Sequence, residues 1–258
     1  MPAVGGSEAW MKSFGLTDKG RVRKDNQDSF IIEKCKTRDC VIAVLCDGMG
    51  GAKAGGLASQ LSNKAFVSYV YAKLTSRVNR NFNYREILQA ACVEANGVAY
   101  EYSQFGEEFS GMGTTIVGGV IKSNGNGYII NVGDSRAYHI SRRGDSVTQI
   151  TRDHSLVEDL LEFGAITREQ ALHHPQRNVI TRALGSEANV ESDYFEFSLL
   201  SGDVLLLCSD GLSNIVSDKE MLSCAKENPE PEGLCRTLMK LALDRGARDN
   251  VTVVAVMR

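Results

Sequence analysis

Four aspartates stand where an apolar run meets a turn: Leu45-Cys46-Asp47-Gly48, Asn131-Val132-Gly133-Asp134-Ser135-Arg136, Cys208-Ser209-Asp210-Gly211, and Arg248-Asp249-Asn250 ahead of Val251. If these runs are strands sharing sheets, their ends bring the carboxylates to one edge, where they repel strongly unless a cation neutralises them. An all-oxygen donor set suits a hard ion, Mg²⁺ or Mn²⁺, rather than zinc. Two such cations can share a water, lower its pKa and aim it at phosphorus, while a guanidinium grips the phosphate oxygens bidentately. Arg23, in Gly20-Arg21-Val22-Arg23-Lys24-Asp25-Asn26-Gln27-Asp28, is the candidate guanidinium. Taken singly, Asp-Gly after a strand is a common turn sequence and 20–28 is a charged loop before a strand. The joint occurrence carries the argument. Asp47 and Asp210 each end an unusually apolar run, where an unpartnered carboxylate would be costly.

The elements that must position these residues are legible in outline. Residues 41–46 read as a strand buried on both faces, and 57–74 and 84–102 as core-packing helices with apolar residues at helical spacing. The runs 114–122 and 128–132 are strands joined across Asn-Gly steps, and 137–141 and 146–151 continue them as one antiparallel meander. The stretch 156–185 breaks the β pattern. A short helix ends near Gly164, and Thr167 with Gln170 forms a capping box for another that stops at His173-His174-Pro175. A helical insertion between strands, about 154–186, is expected to be a surface flap and a place for substrate selectivity. Residues 193–199 and 204–208 read as strands, 234–242 as a last helix with Gly246 just past its end, and 251–256 as the closing strand. No internal repeat or low-complexity segment appears.

The chain has 258 residues, 43% hydrophobic and 24% charged, with a formal net charge of −3, and is expected to form one domain over 1–258. The scattered Lys and Arg give no field for a nucleic-acid backbone. The apolar runs are too short to span a bilayer, and residues 1–11 lack the pattern of a signal peptide, so a soluble cytoplasmic protein is expected. Seven cysteines without a Cys-x-x-Cys pair suggest neither disulfides nor zinc. Cys46 and Cys208 lie in apolar runs as core residues, and neither begins a phosphate-cradling loop of the Cys-x5-Arg kind.

In order along the chain, Gly20 to Asp28, Asp47-Gly48-Met49-Gly50-Gly51, Gly111-Met112-Gly113-Thr114-Thr115, Asn131 to Arg136, Ser209-Asp210-Gly211 and Asp249-Asn250-Val251-Thr252 resemble the motifs of the PPM (PP2C-type) Ser/Thr protein phosphatases, especially the bacterial branch. The resemblance implies an α+β fold, a four-layer α-β-β-α sandwich of two antiparallel sheets flanked by helices, with two or three Mn²⁺ or Mg²⁺ ions at one edge. It further implies that Asp47 bridges two metals and Gly48 ligates one through its carbonyl, that Asp210 and Asp249 hold the other, and that Asp134 with Asp210 forms a third, weaker site beside the flap. Arg23 would bind the substrate phosphate, and Asp28 would hold metal-bound waters. A metal-bridging water or hydroxide would then attack phosphoserine or phosphothreonine. Two positions depart from relatives: Met49 stands where animal members often carry a His proposed to protonate the leaving group, and Gln27 where some have Glu. A thioether donates no proton, which moves the general acid elsewhere, with metal-bound water as the preferred source.

The expected substrates are phosphorylated proteins, products of a Ser/Thr kinase, met by a monomer. Two alternatives stay open: a pseudophosphatase binding module, whose usual sign is a lost metal aspartate, and a phosphatase for a specialised substrate. His154, His173 and His174 read as solvated or capping residues of the insertion, with His154 the one to test because it leads from the strands into the flap.

Overall fold

The structure, a computed structural model, describes residues 11–51, 54–76 and 82–258. In chain order its elements are β1 (Lys12–Asp18), β2 (Ser29–Cys35), β3 (Cys40–Cys46), β4 (Gly48–Met49), α1 (Ala54–Thr75), α2 (Tyr84–Ser103), β5 (Gly113–Thr114), β6 (Ile116–Lys122), β7 (Asn126–Val132), β8 (Arg136–Ser141), β9 (Ser146–Gln149), α3 (Leu156–Glu162), α4 (Arg168–Leu172), β10 (Asp193–Ser198), β11 (Val204–Cys208), α5 (Asp210–Ser213), α6 (Asp218–Glu227), α7 (Pro231–Asp244) and β12 (Val251–Met257).

Strand β3 shows how the sequence dictates the layers. Successive side chains point to opposite faces. Val41, Ala43 and Leu45 enter one core with Val117, Leu205, Leu207 and Val254. Ile42, Val44 and Cys46 enter another with Phe66, Val70, Leu88 and Ala91 from α1 and α2. The strand therefore needs no polar face, which is why it reads as an unbroken apolar run. A third core sets Tyr138, Leu206, Val253 and Ala255 against Met221, Leu234 and Leu238 of α6 and α7. Each fully buried aliphatic side chain contributes about 1.5–3 kcal/mol. The result is two five-stranded antiparallel sheets, in the orders β1-β12-β11-β8-β9 and β10-β7-β6-β3-β2, packed face to face with helices outside each. This is the α-β-β-α sandwich expected from the sequence.

The single meander expected over 114–151 is corrected. β6 and β7 pair in one sheet, but β8 pairs with β11 and β9 in the other. The chain crosses between sheets at Gly133, whose φ of +103° and close packing against Thr115 suit only glycine. A Gly-Asp turn reads alike whether the next strand returns beside its predecessor or leaves for the opposite sheet. Strands β1 and β4 and helices α5 and α6 have no counterpart in the sequence pattern. In β1 the exposed edge position Lys12 and Gly15 weaken the strand pattern, while α6 announces itself only through its Ser217–Glu220 capping box.

The insertion holds α3 and α4, the latter capped by Thr167 and Gln170 as expected. The Ser155–Ile180 bridge closes its base, and the Thr114–Leu184 bridge ties it to the sandwich.

Candidate active site

Asp47 follows β3, Asp210 begins α5 directly after β11, Asp249 precedes β12, and Asp134 lies on the crossing from β7 to β8. These are ends of strands from both sheets, and all four aspartates line one cavity of about 250 Å³, together with Arg23, Gln27, Gly48, Met49, Thr115, Asn178 and Ile180.

Close backbone approach, available only to glycine, assembles the cavity wall. A Cβ on Gly211 would lie 1.9 Å from the Asn250 carbonyl oxygen, so this glycine lets α5 press on the start of β12 and brings Asp210 beside Asp249. Gly20, with φ +75°, packs equally close to the Asp249 carbonyl and carries the Arg23 loop to the same place. The Asn250 side chain staples that loop: its Oδ1 accepts from Gln27 N at 2.9 Å, and its Nδ2 donates to the carbonyls of Lys19 and Asp25 at 3.0 and 2.9 Å. Asp47 is held by its backbone, donating to Thr115 Oγ1 at 3.0 Å and accepting from Thr115 N and Thr114 Oγ1 at 2.8 Å. Gly48 donates its N–H to Gln27 O at 3.2 Å. Asn250, Thr114 and Thr115 lay inside the quoted motifs but were given no role by sequence reasoning. Their contribution is a hydrogen-bond pattern between segments far apart in sequence, and only the Asp249-Asn250 adjacency hinted at it.

Asp28 is buried behind the cavity. Its Oδ2 accepts from Ser209 Oγ at 2.8 Å and Thr252 Oγ1 at 2.6 Å, whereas Oδ1 has no hydrogen-bond donor from the protein. It lies against Asp47, and burial raises its pKa from the ordinary aspartate value. Burial, then the charge of Asp28 and of Asp210, pushes Asp47 well above the ordinary aspartate value. Burial and Asp134 push Asp210 up to about 7, and burial and Asp153 push Asp134 up to about 6. Carboxylates so arranged call for positive charge among them. The cavity lining offers only oxygen ligands apart from Met49, and the buried Asp28 Oδ1 behind it is left without a donor. Among the described residues no three His, Cys, Asp or Glu side chains close on a single point. A hard ion that keeps several waters needs only one or two carboxylates, so the donor set fits Mg²⁺ or Mn²⁺.

Arg23 reaches the same cavity but is engaged there, its Nη2 donating to Asp249 Oδ2 at 2.7 Å. The sequence reading assigned Arg23 to phosphate and Asp249 to metal without foreseeing that they meet.

The profile of the protein phosphatase 2C family matches residues 19–240. The chain belongs to the protein phosphatase 2C family. Among curated relatives it is similar to the serine/threonine phosphatase stp of Listeria innocua, 36% identical over 94% of each chain. Among solved structures it superposes on the serine/threonine phosphatase Stp1 of Staphylococcus aureus with a TM-score of 0.87, at 37% identity over 96% of this chain and 95% of that one. The catalytic domain of the serine threonine protein phosphatase PstP, in complex with two manganese ions, gives a TM-score of 0.78 at 32% identity, covering 96% of this chain and 99% of that one.

In this phosphatase 2C chain the cysteines are all buried free thiols, Cys46 and Cys208 among them as expected of core residues, and burial raises Cys208 to about 12. His154 corrects the reading of a solvated residue. It is 4% exposed, its Nδ1 accepts Gly133 N at 3.1 Å, its own N–H bonds Gly133 O at 3.0 Å, and its carbonyl accepts Thr181 N at 2.9 Å. It joins the turn carrying Asp134 to the base of the flap. His173, by contrast, is exposed as expected.

Proposed function

We propose that this chain hydrolyses phosphoserine and phosphothreonine in proteins, with Asp47, the Gly48 carbonyl, Asp210 and Asp249 holding two divalent cations, Mn²⁺ or Mg²⁺, and Asp134 with Asp210 contributing to a third site. Family membership makes the chain a serine/threonine phosphatase. The observation that carries the assignment of residues is the convergence of four aspartates and Arg23 on one cavity from five separate places in the chain. When bound, such ions neutralise the carboxylates and supply an acidified water as nucleophile. The manganese ions of the PstP catalytic domain support this choice of metal.

The chain's own groups do the positioning. Arg23 uses one of its five N–H donors on Asp249, and the remainder of the fork is available to phosphate oxygens at the cavity mouth. Asp249 would help hold a cation, whose charge would offset that carboxylate and leave the Arg23 guanidinium to the substrate phosphate. Asp28, fixed by Ser209 and Thr252, accepts hydrogen bonds from water in the cavity through Oδ1 and so orients it. Met49 contributes shape but no proton, and the leaving oxygen receives its proton from water. Phosphorylated proteins made by a Ser/Thr kinase are the substrates, met in the cytoplasm by a monomer. No helix among the described residues is long and apolar enough to cross a membrane.

Release of inorganic phosphate from a phosphothreonine peptide in Mn²⁺ tests the reading. Asp210→Asn, which removes one ligand charge while keeping shape, is expected to lower kcat/KM by about 100-fold or more, and EDTA to abolish turnover. Full activity of the variant, or activity undiminished by EDTA, contradicts the assignment.

A further inference from the structure

A second cavity, of about 340 Å³, adjoins the catalytic one and shares Met49 and Ile180 with it. Its far wall is the segment that returns from the flap to β10. That wall is firmly built: the buried Asn96 of α2 accepts Gly185 N at 2.9 Å through Oδ1 and donates through Nδ2 to the carbonyls of Glu187 and Ala188 at 3.0 and 3.1 Å. The segment is thereby fixed on the sandwich and presents Glu187 and Glu191 at the groove. Both are exposed, and neither enters an ion pair among the described residues. The groove's cation, Arg182, is paired with Asp193 at 3.2 Å. The balance of charge facing a ligand is therefore negative.

A phosphoresidue seated in the catalytic cavity belongs to a polypeptide that must continue past the rim. At about 3.4 Å per extended residue the chain enters the adjoining groove within a few positions. Met49 lies on the shared rim, its Cε packed over Gly113, as an apolar, adaptable edge for the passing backbone.

We propose that this groove is a substrate subsite that selects cationic side chains, Lys or Arg, a few positions to one side of the phosphoresidue. The proposal rests on the phosphatase reading above. Glu187 and Glu191 supply the selecting charge, Asn189 adds amide hydrogen bonding, and the catalytic carboxylates take no part in the choice.

The test compares phosphothreonine peptides of one length carrying Lys or Glu at the neighbouring positions on either side, with p-nitrophenyl phosphate as a substrate too small to reach the groove. In Mn²⁺ at low salt, the wild type should prefer the best Lys peptide over its Glu counterpart by about fivefold in kcat/KM, the scale of one or two exposed ion pairs, and added salt should erode the preference. E187Q/E191Q should bring the ratio within about twofold of unity while turnover of the small ester stays unchanged. Equal rates on the two peptides, or a preference that survives in the double variant, overturn the subsite. Failure of the wild type to turn over ester and peptides alike overturns the phosphatase reading and the subsite together.

Discussion

Arg23 illustrates how two residues for which separate roles are proposed can share one bond. Its guanidinium pairs with Asp249 across 226 positions of sequence, and the same fork suits a phosphate. Arg23→Ala is expected mainly to raise KM for a phosphopeptide, by roughly tenfold, since phosphate is gripped in both ground and transition states. Arg23→Lys should recover only part of that loss, because an ammonium keeps the charge but lacks the planar fork. Steady-state kinetics of both variants decide the matter, and an unchanged KM in Arg23→Ala removes Arg23 from phosphate binding. At Met49 the sequence was informative by what it lacks: a thioether cannot protonate a leaving group, and the structure gives the residue a place on the rim between two cavities.

Elements meet at this site through glycines whose spacing in sequence says nothing of their neighbours. Gly211 at the start of α5 touches the Asn250 carbonyl, whereas Gly97 in the middle of α2 has nothing within 4 Å of an added Cβ. Gly211→Ala should therefore push α5 from β12, separate Asp210 from Asp249, and lower both activity and unfolding free energy, the latter by about 1–3 kcal/mol. Gly97→Ala should raise stability by about 0.5–1 kcal/mol and leave turnover alone. Urea unfolding of the pair checks both signs, and a Gly211→Ala protein as stable and active as wild type would show that the close approach is not needed. The flap was visible in the sequence as an interruption of the β pattern with its own capping box. Its attachment was not: the reciprocal bonds between His154 and Gly133 link segments whose local sequences carry no sign of each other.

The molecule as a whole gathers like charges at one edge of the two-sheet stack. Burial and mutual repulsion raise the carboxyls of Asp28, Asp47, Asp134 and Asp210 above their unfolded values. In the metal-free protein the native state thus binds more protons than the unfolded chain from about pH 4 to 7, so stability falls as pH rises through that window. In EDTA, Tm at pH 5.5 should exceed Tm at pH 7.5 by at least about 3 °C, roughly 1 kcal/mol in a domain of this size. Mn²⁺ at pH 7.5 should restore the difference by binding the folded state alone. Calorimetry with and without the ion measures both, and a Tm that rises with pH in EDTA refutes the carboxylate account. By itself the sequence determined that residues 41–46 are buried on both faces, because an apolar run without a polar face has no side to turn to water, and through the ordered motifs it carried the resemblance that implied the layers and the ligand set. Tertiary structure alone decided that β7 and β8 part into different sheets, that Asn250 staples the Arg23 loop, and that a negatively charged groove lies beside the catalytic cavity. Those depend on which distant backbones come within hydrogen-bonding reach, a property of packing that no local pattern encodes.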